Sequence, residues 1–371
     1  MSGTTTGVLT LRQLNRALLE RQALTRRVDL PALAALEHLV GMQAQAPLPP
    51  YTGLWTRLAR FCPEDLATLI TDRQAVRLVL MRGTIHLVSA ADCLALRPVL
   101  AAGLQRALGS TFGRQLAGVD AAEVAAEGRR LVEEEPLTLG GLGARLAERW
   151  PEHDPFALAN AVRALVPLVQ VPPRAVWGRS GQAVHTTAEA WLGRPLEADT
   201  AAEGLVLRYL AAFGPASVKD VQNWSGLTRL SAVVKALRPR LRTFRSEDGR
   251  ELFDVPDAPL PDADSPAPVR FLPEFDNILL GHAERDRIIS AQARREVLTR
   301  NGLVRATVLV DGFVSGVWQL TEKRGRATLE VSPFRQLSRA ERAAVEEEGT
   351  HLLAFAAESA TTHEVRIGAP D

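Results

Sequence analysis

Two glutamines one residue apart, Gln43 and Gln45, are the residues whose type and spacing best suit chemistry. They lie in the run GMQAQAP at 41–47, where a helical pattern of apolar residues gives way to prolines. Amide oxygens on a rigid element accept hydrogen bonds from a water molecule and can orient it. Because an amide takes up no proton near neutral pH, such a pair suits a reaction whose leaving group departs without acid assistance.

A purely structural role for the two glutamines is the alternative, since amide side chains commonly hydrogen-bond nearby backbone groups. In that role the pair caps the preceding helix, which is predicted from Leu33, Leu36 and Leu39, or supports the loop that follows. Spacing alone does not separate the two roles.

Composition is that of an ordinary globular protein. A chain of 371 residues can bury a large core in about two to four structural units. The formal net charge is +1, and nearly all cations are arginines, since lysine occurs only at 219, 235 and 323. Arginine suits bidentate phosphate and base contacts, although a high-GC genome gives the same bias. Net charge therefore does not indicate nucleic acid, and a DNA-binding face depends on local clustering.

Signatures of metal, disulfide and membrane proteins are absent from the sequence. Cys62 and Cys93 are too few for a disulfide scaffold, and no Cys/His spacing resembles a zinc site. The N-terminus is short and polar, and no apolar stretch is long enough to span a bilayer. We expect a cytoplasmic protein with no metal and no cofactor.

The order of three helices followed by a two-stranded hairpin repeats along the chain, and it is typical of a winged helix. In the clearest copy a first helix ends at Phe213, Ser217 caps a second, and a third ends at Leu237. Strands then flank the turn signal at 247–249. The predicted fold is α+β, with three winged-helix units at 8–115, 116–200 and 201–257 and a β-rich domain at 258–371.

The predicted C-terminal domain begins with a Pro/Asp-rich linker at 258–268. Strands are expected on both sides of Asp311-Gly312, and a capping box at Ser338 opens a helix. A last strand at 363–367 is expected to return to the sheet, and this region is predicted to form an antiparallel sheet or small barrel.

Four runs resemble the AlkZ/YcaQ family of bacterial DNA glycosylases, which are built on tandem winged helices. The runs are LEHLVGMQAQ at 36–45, PYTGLW at 50–55, LMRGTIHLV at 80–88 and LPEFDN at 272–277. The resemblance implies that Gln43 and Gln45, on either side of Ala44, hold the catalytic water. The YcaQ branch carries Gln-x-Asp, so Gln45 favours the AlkZ-like branch, which is associated with resistance to DNA-alkylating natural products.

An N7-alkylated guanine is a substrate on which two amides suffice. Glycosidic cleavage passes through an oxocarbenium-like state and ordinarily needs a protonated leaving group. The alkylated base already carries a positive charge and leaves as a neutral molecule, so the protein has only to position water and stabilise the sugar cation. No lysine lies near the motif in sequence, which favours hydrolysis over a Schiff-base lyase. We expect a monofunctional glycosylase that acts on double-stranded DNA, including bulky adducts or interstrand crosslinks, and leaves an abasic site.

Candidates for DNA contact are mostly arginines on the predicted wings and loops. They are Arg82, Arg174, Trp177, Arg179 and Arg285. Trp177, between two cations, suits insertion into a groove but equally suits a core position. His86 is expected to support its hairpin, and Asp276 is expected to form a turn.

Two other classes of protein fit the same framework. A winged-helix transcriptional regulator places a recognition helix in the major groove and usually dimerises. This chain has no heptad repeat or other dimerisation element, and we expect a monomer. A protein that sequesters a drug needs an apolar pocket, which a sequence does not reveal. Release of a free modified base separates the enzyme from the regulator.

Overall fold

A computed structural model describes residues 5–299 and 301–370, and it begins with elements that carry the glutamine motif. These are β1 (Thr5–Leu9), α1 (Leu11–Arg21), α2 (Ala32–His38), β2 (Met42–Gln43), α3 (Pro49–Trp55), α4 (Pro63–Thr71), β3 (Ala75–Val79), β4 (Ile85–Ser89) and α5 (Ala90–Phe112). The helix predicted after Thr10 is confirmed, because the Thr10 hydroxyl accepts from the Gln13 N–H in a capping box.

The next elements follow the predicted order of helices and hairpins. They are α6 (Ala121–Glu134), β5 (Leu137–Thr138), α7 (Leu139–Arg149), α8 (Pro155–Leu165), β6 (Leu168–Gln170), β7 (Val184–Thr187), α9 (Ala188–Leu192), α10 (Glu203–Phe213), α11 (Val218–Ser225), α12 (Ser231–Leu237), β8 (Arg242–Ser246) and β9 (Glu251–Asp254). Asp154 and Ser217 cap α8 and α11 as predicted. The division into three winged-helix units, with its boundaries, stays a prediction.

Strands from two predicted units join in one six-stranded sheet, in the order β2-β4-β3-β6-β7-β5. The junction is the antiparallel pair β3–β6, in which Arg77 lies opposite Gln170 and Leu78 opposite Val169. The sheet therefore crosses the predicted boundary at 115/116. β1 similarly joins the third hairpin, pairing in parallel with β8.

The C-terminal region forms a sheet as predicted, but among the described residues the sheet is not wholly antiparallel, and it is open and not a closed barrel. Its elements are β10 (Arg270–Leu272), α13 (Asn277–Leu280), α14 (Ala291–Val297), β11 (Thr307–Val310), β12 (Phe313–Lys323), β13 (Arg326–Pro333), α15 (Arg339–Ala356) and β14 (Thr362–Ile367). β14 pairs in parallel with β13, because α15 serves as a crossover between them. α15 also covers the apolar face of the sheet, which needs no closure to be buried.

Packing ties the predicted C-terminal domain to the N-terminal helices. The largest buried cluster includes Leu18 of α1, Val88 of β4, Tyr209 of α10 and Leu272 of β10. The Pro/Asp-rich segment at 258–268 is also bound, since the Nε groups of Arg12 and Arg16 donate to its carbonyls at 2.9 and 2.7 Å. No helix among the described residues is long and apolar enough to cross a membrane.

Candidate active site around the glutamine pair

Gln43 ends a short strand and Gln45 follows in a bend, so the predicted placement of the pair at the end of a helix is wrong. α2 stops at His38, and the chain then turns through Gly41, whose φ is 83°. A Cβ on Gly41 would lie 2.5 Å from Val88 Cγ1, so both the backbone angle and the close approach require glycine. β2 follows and places Gln43 opposite His86 of β4.

The oxygen of each glutamine side chain is fixed by a donor. Gln43 Oε1 accepts from Arg82 Nη2 at 2.7 Å, and Gln45 Oε1 accepts from the Ile85 N–H at 2.7 Å. Neither side chain caps α2, although Gln45 does support the backbone of the hairpin. A carbonyl oxygen has two lone pairs, so each amide retains one acceptor position for a water molecule. Gln43 is 7% exposed, whereas Gln45 is exposed to solvent. One amide of the pair is therefore buried and the other lies at the surface.

Arg82, a predicted DNA contact, is bound within the protein. It lies at the turn between β3 and β4, and its Nη1 donates to the Trp224 carbonyl at the end of α11 at 2.6 Å. Burial, with Arg285 nearby, lowers the pKa of Arg82 to about 10, which leaves the guanidinium protonated at neutral pH. Arg82 thus holds Gln43 in place, and its contact with DNA stays a prediction.

The C-terminal region contacts the motif from the other side through Asn277, the last residue of the run LPEFDN. Asn277 Nδ2 donates to the Gly41 carbonyl at 2.8 Å, and Asn277 Oδ1 accepts from the Gln43 N–H at 3.4 Å. Asp276 caps α13 and accepts two hydrogen bonds of 2.8 Å from the buried Arg57. The expected structural role of Asp276 is confirmed, and the run LPEFDN positions the glutamine strand.

His86 supplies no charge beside Gln43. It is buried, and its Nδ1 lies 3.0 Å from the Thr84 carbonyl. Burial, reinforced by the charge of Arg82, lowers the pKa of His86 to about 3, so the ring is neutral at physiological pH. Among the described residues, no carboxylate hydrogen-bonds either glutamine side chain. The surroundings of Gln43 therefore suit a leaving group that needs no protonation.

Trp177 belongs to a packed aromatic cluster, which favours the core alternative, and its contact with DNA stays a prediction. Its ring centroid lies 4.9 Å from that of Tyr51 and 5.8 Å from that of Phe355. The Tyr51 hydroxyl also accepts from the Trp177 N–H at 3.1 Å. A side chain held on several sides fixes the loop between β6 and β7, and inserting it into DNA would dismantle these contacts.

The other predicted DNA contacts lie on both sides of the glutamine pair. Arg174 lines a cavity that Gln45 also lines, and Arg179 is exposed on the same loop. Arg285 is half-buried, and burial together with Arg294 lowers its pKa. Their contact with DNA stays a prediction. In the described part of the chain, no group of three or more His, Cys, Asp or Glu residues is placed to hold a metal ion.

Comparison with known proteins gives the class of this chain. The model of a family described as DNA glycosylase AlkZ-like matches residues 36–355, so the chain belongs to that family. It is therefore a DNA glycosylase, an enzyme that acts on N-glycosyl bonds, and the regulator and drug-sequestering alternatives are not retained.

A protein sequence and a solved structure from Streptomyces sahachiroi are both similar to this chain over nearly the whole length. An interstrand DNA cross-link repair glycosylase is 26% identical over 358 residues, covering 90% of this chain and 93% of the relative. The solved structure of the DNA glycosylase AlkZ matches with a TM-score of 0.80 at 22% identity, over 97% of this chain and 100% of that one. The second likeness shows that the fold is shared.

Proposed function

We propose that this glycosylase hydrolyses the N-glycosyl bond of N7-alkylguanine in double-stranded DNA and leaves an abasic site. The observation that carries the proposal is the pair of amide oxygens fixed by Arg82 and Ile85. A water that donates to both oxygens is held with its own lone pairs free to attack C1′ of the sugar. The partial negative charges on the amide oxygens also stabilise the positive charge that develops on the sugar.

The positive charge of the alkylated base makes protonation by a general acid of the protein unnecessary. A carboxylic acid or imidazolium would be needed to protonate a neutral base as it departs. The structure supplies a neutral His86 beside Gln43 and, among the described residues, no carboxylate bound to the pair. An N7-alkylated base leaves as a neutral molecule, so this environment discriminates against undamaged DNA.

Bulky adducts and interstrand crosslinks attached through N7 of guanine are included in the proposal. Support comes from the relative named as an interstrand DNA cross-link repair glycosylase. A crosslinked lesion is released from one strand by the same bond cleavage. We further infer that the enzyme acts as a monomer, since β2, the β3–β4 turn and α13, which build the site, come from one chain.

The enzyme is expected to release 7-methylguanine from a duplex in the presence of EDTA. Because the proposed mechanism uses two amides and no metal, a chelator leaves the rate unchanged. The product strand stays intact until alkali cleaves it, since hydrolysis forms no Schiff base. Chromatography of free base and gel analysis of the strand measure both points. If a folded, EDTA-treated protein leaves both this duplex and one with a bulkier N7 adduct intact, the proposed substrate is wrong.

DNA affinity is expected to fall with salt and to vary little with sequence. The log–log slope should be about −0.9 for each neutralised phosphate. Arg174→Ala and Arg179→Ala should each make that slope shallower by roughly this amount, because neither side chain forms an ion pair with any described residue. Fluorescence anisotropy at several salt concentrations measures the slope, with Arg339→Ala on the exposed start of α15 as the control. Unchanged slopes would show that neither arginine contacts a DNA phosphate.

A further inference from the structure

A cavity beside Gln45 is not used by the proposed reaction. It has a volume of about 440 Å³ and opens where the two N-terminal hairpins meet in the six-stranded sheet. Its polar lining comes mainly from Gln45, Arg77, Arg163, Gln170, Arg174 and His185. None of the residues that line it is an aspartate or a glutamate.

Among the described residues, none is an acidic partner of the three arginines in this cavity. Arg77 is 2% exposed, and its Nη groups donate to Gln170 Oε1 and to the Ala44 carbonyl, both at 2.6 Å, while its Nε has no partner. Arg174 donates only to the Gly181 carbonyl, at 3.0 Å, and its Nε is also buried without a partner. Arg163 forms no hydrogen bond or ion pair with any residue that the structure describes.

Two of the deeply buried arginines elsewhere in this protein, Arg21 and Arg57, are paired with carboxylates, whereas Arg97 and Arg287 donate to backbone carbonyls. Arg21 binds Asp254 at 2.6 Å and Arg57 binds Asp276 at 2.8 Å, with every one of these side chains almost fully enclosed. A buried cation without a partner is unfavourable, because it loses hydration and gains no opposite charge. The cavity differs from these two ion pairs, because three arginines share it and no acidic residue lines it.

The charge of the cavity persists at neutral pH. Burial, and secondarily the charge of Arg174, lowers the pKa of Arg77 to about 10, and burial also lowers the pKa of Arg163. A group with a pKa of about 10 stays protonated at neutral pH, and arginine side chains in proteins generally keep their charge there. Burial and the three arginines hold the pKa of His185 down at about 4, so the imidazole is neutral. The cavity thus carries three positive charges and no negative charge.

We propose that this cavity binds one backbone phosphate of the DNA next to the target nucleotide. The proposal rests on the proposed function and adds a defined anion site to it. Guanidinium groups match the oxygens of a phosphate in geometry as well as in charge. Arg77 also holds the Ala44 carbonyl between the two glutamines, and Gln45 lines the cavity. A phosphate held there fixes the attached sugar relative to the water-binding amides.

A methylphosphonate scan tests this site directly. Each duplex carries a tetrahydrofuran abasic analogue, which cannot be hydrolysed, and one neutral methylphosphonate at a chosen backbone position. For the wild type, we expect one or two adjacent positions near the analogue to weaken binding about tenfold, since they remove a charge-assisted contact. Arg163→Gln/Arg174→Gln should bind more weakly and lose sensitivity at those positions only.

The control variant removes two charges elsewhere. Arg339→Gln/Arg342→Gln lies on the exposed first turns of α15, and it should keep the wild-type pattern of sensitivity. A flat scan for the wild type, or the same pattern in the cavity variant as in the wild type, overturns the proposal. Binding of free phosphate alone also overturns it. In that case inorganic phosphate raises the melting temperature of the wild type but not of the cavity variant, while the methylphosphonate scan is flat.

Failure of this proposal is distinguishable from failure of the proposed function. The scan reads binding to an uncleavable duplex, whereas base release from an N7-methylguanine duplex is measured separately on the same proteins. If the wild type releases the base and the scan is flat, only the proposed phosphate site is wrong. If the scan shows sensitive positions but no base is released, the phosphate site is supported and the proposed N7-alkylguanine substrate is wrong.

Discussion

Replacing Gln43 or Gln45 with alanine is expected to slow the single-turnover release of 7-methylguanine by roughly 30- to 900-fold. This range corresponds to roughly 2–4 kcal/mol of lost transition-state stabilisation, by analogy with the removal of one oriented hydrogen-bonding group from an active site. Each substitution removes one of the two oxygens that would orient the water. DNA affinity should stay close to that of the wild type, because neither amide is needed for phosphate contact.

Controls separate this loss from misfolding. Gln45→Ala also leaves the Ile85 N–H without its acceptor, so we expect a modest fall in melting temperature of that variant. Gln45→Glu keeps an acceptor oxygen at that position and should recover stability. Gln336→Ala removes an exposed amide elsewhere and should leave the rate unchanged. A double Gln43→Ala/Gln45→Ala variant with the wild-type rate would show that the pair only supports the hairpin.

The second large effect is on stability. Asp276→Ala should lower the free energy of unfolding by about 3–5 kcal/mol, because it leaves the guanidinium of Arg57 buried without a counter-charge. The side chains of Arg57 and Asp276 are 1% and 0% exposed, so solvent does not screen the loss. Denaturant titration of the purified variant measures it. The base-release rate should fall as well, since Asn277, which follows directly, holds the glutamine strand.

An exposed ion pair provides the matched control for Asp276→Ala. Arg60 and Asp29 form a salt bridge whose side chains are 78% and 65% exposed. Asp29→Ala should therefore change the free energy of unfolding by less than about 1 kcal/mol. If Asp276→Ala is as mild as Asp29→Ala, the buried pair is not what fixes the run LPEFDN against α3.

Local signals in the sequence were sufficient for the capped helices. Ser217 and Ser338 form capping boxes within three residues of themselves, so the beginnings of α11 and α15 are predicted from a few neighbouring residues. The hairpin of β8 and β9 is equally local, with Gly249 at a positive φ. Pairing between distant strands has no such signal, which is why the parallel pairing of β14 and the joined six-stranded sheet were not predicted.

The residues of the candidate site also differ in whether they can be predicted from local sequence. The glutamine pair is recognisable by residue type, spacing and family resemblance. Its partners Arg82 and Asn277 reach Gln43 from 39 and 234 residues away, and only the folded chain brings them together. Arg77 was missed because strand alternation with Val76 and Leu78 indicates a solvent-facing position. In the structure every residue of β3 is buried, since β3 is an interior strand of its sheet.

The most direct test of the account is the time course of free 7-methylguanine release under single-turnover conditions. Wild-type enzyme and the Gln43→Ala/Gln45→Ala variant are compared on the same duplex, at protein concentrations that saturate binding for both. We expect release by the wild type, an abasic strand as the other product, and release by the variant close to the spontaneous rate. Equal release by the two proteins, or none by the folded wild type, would contradict the account.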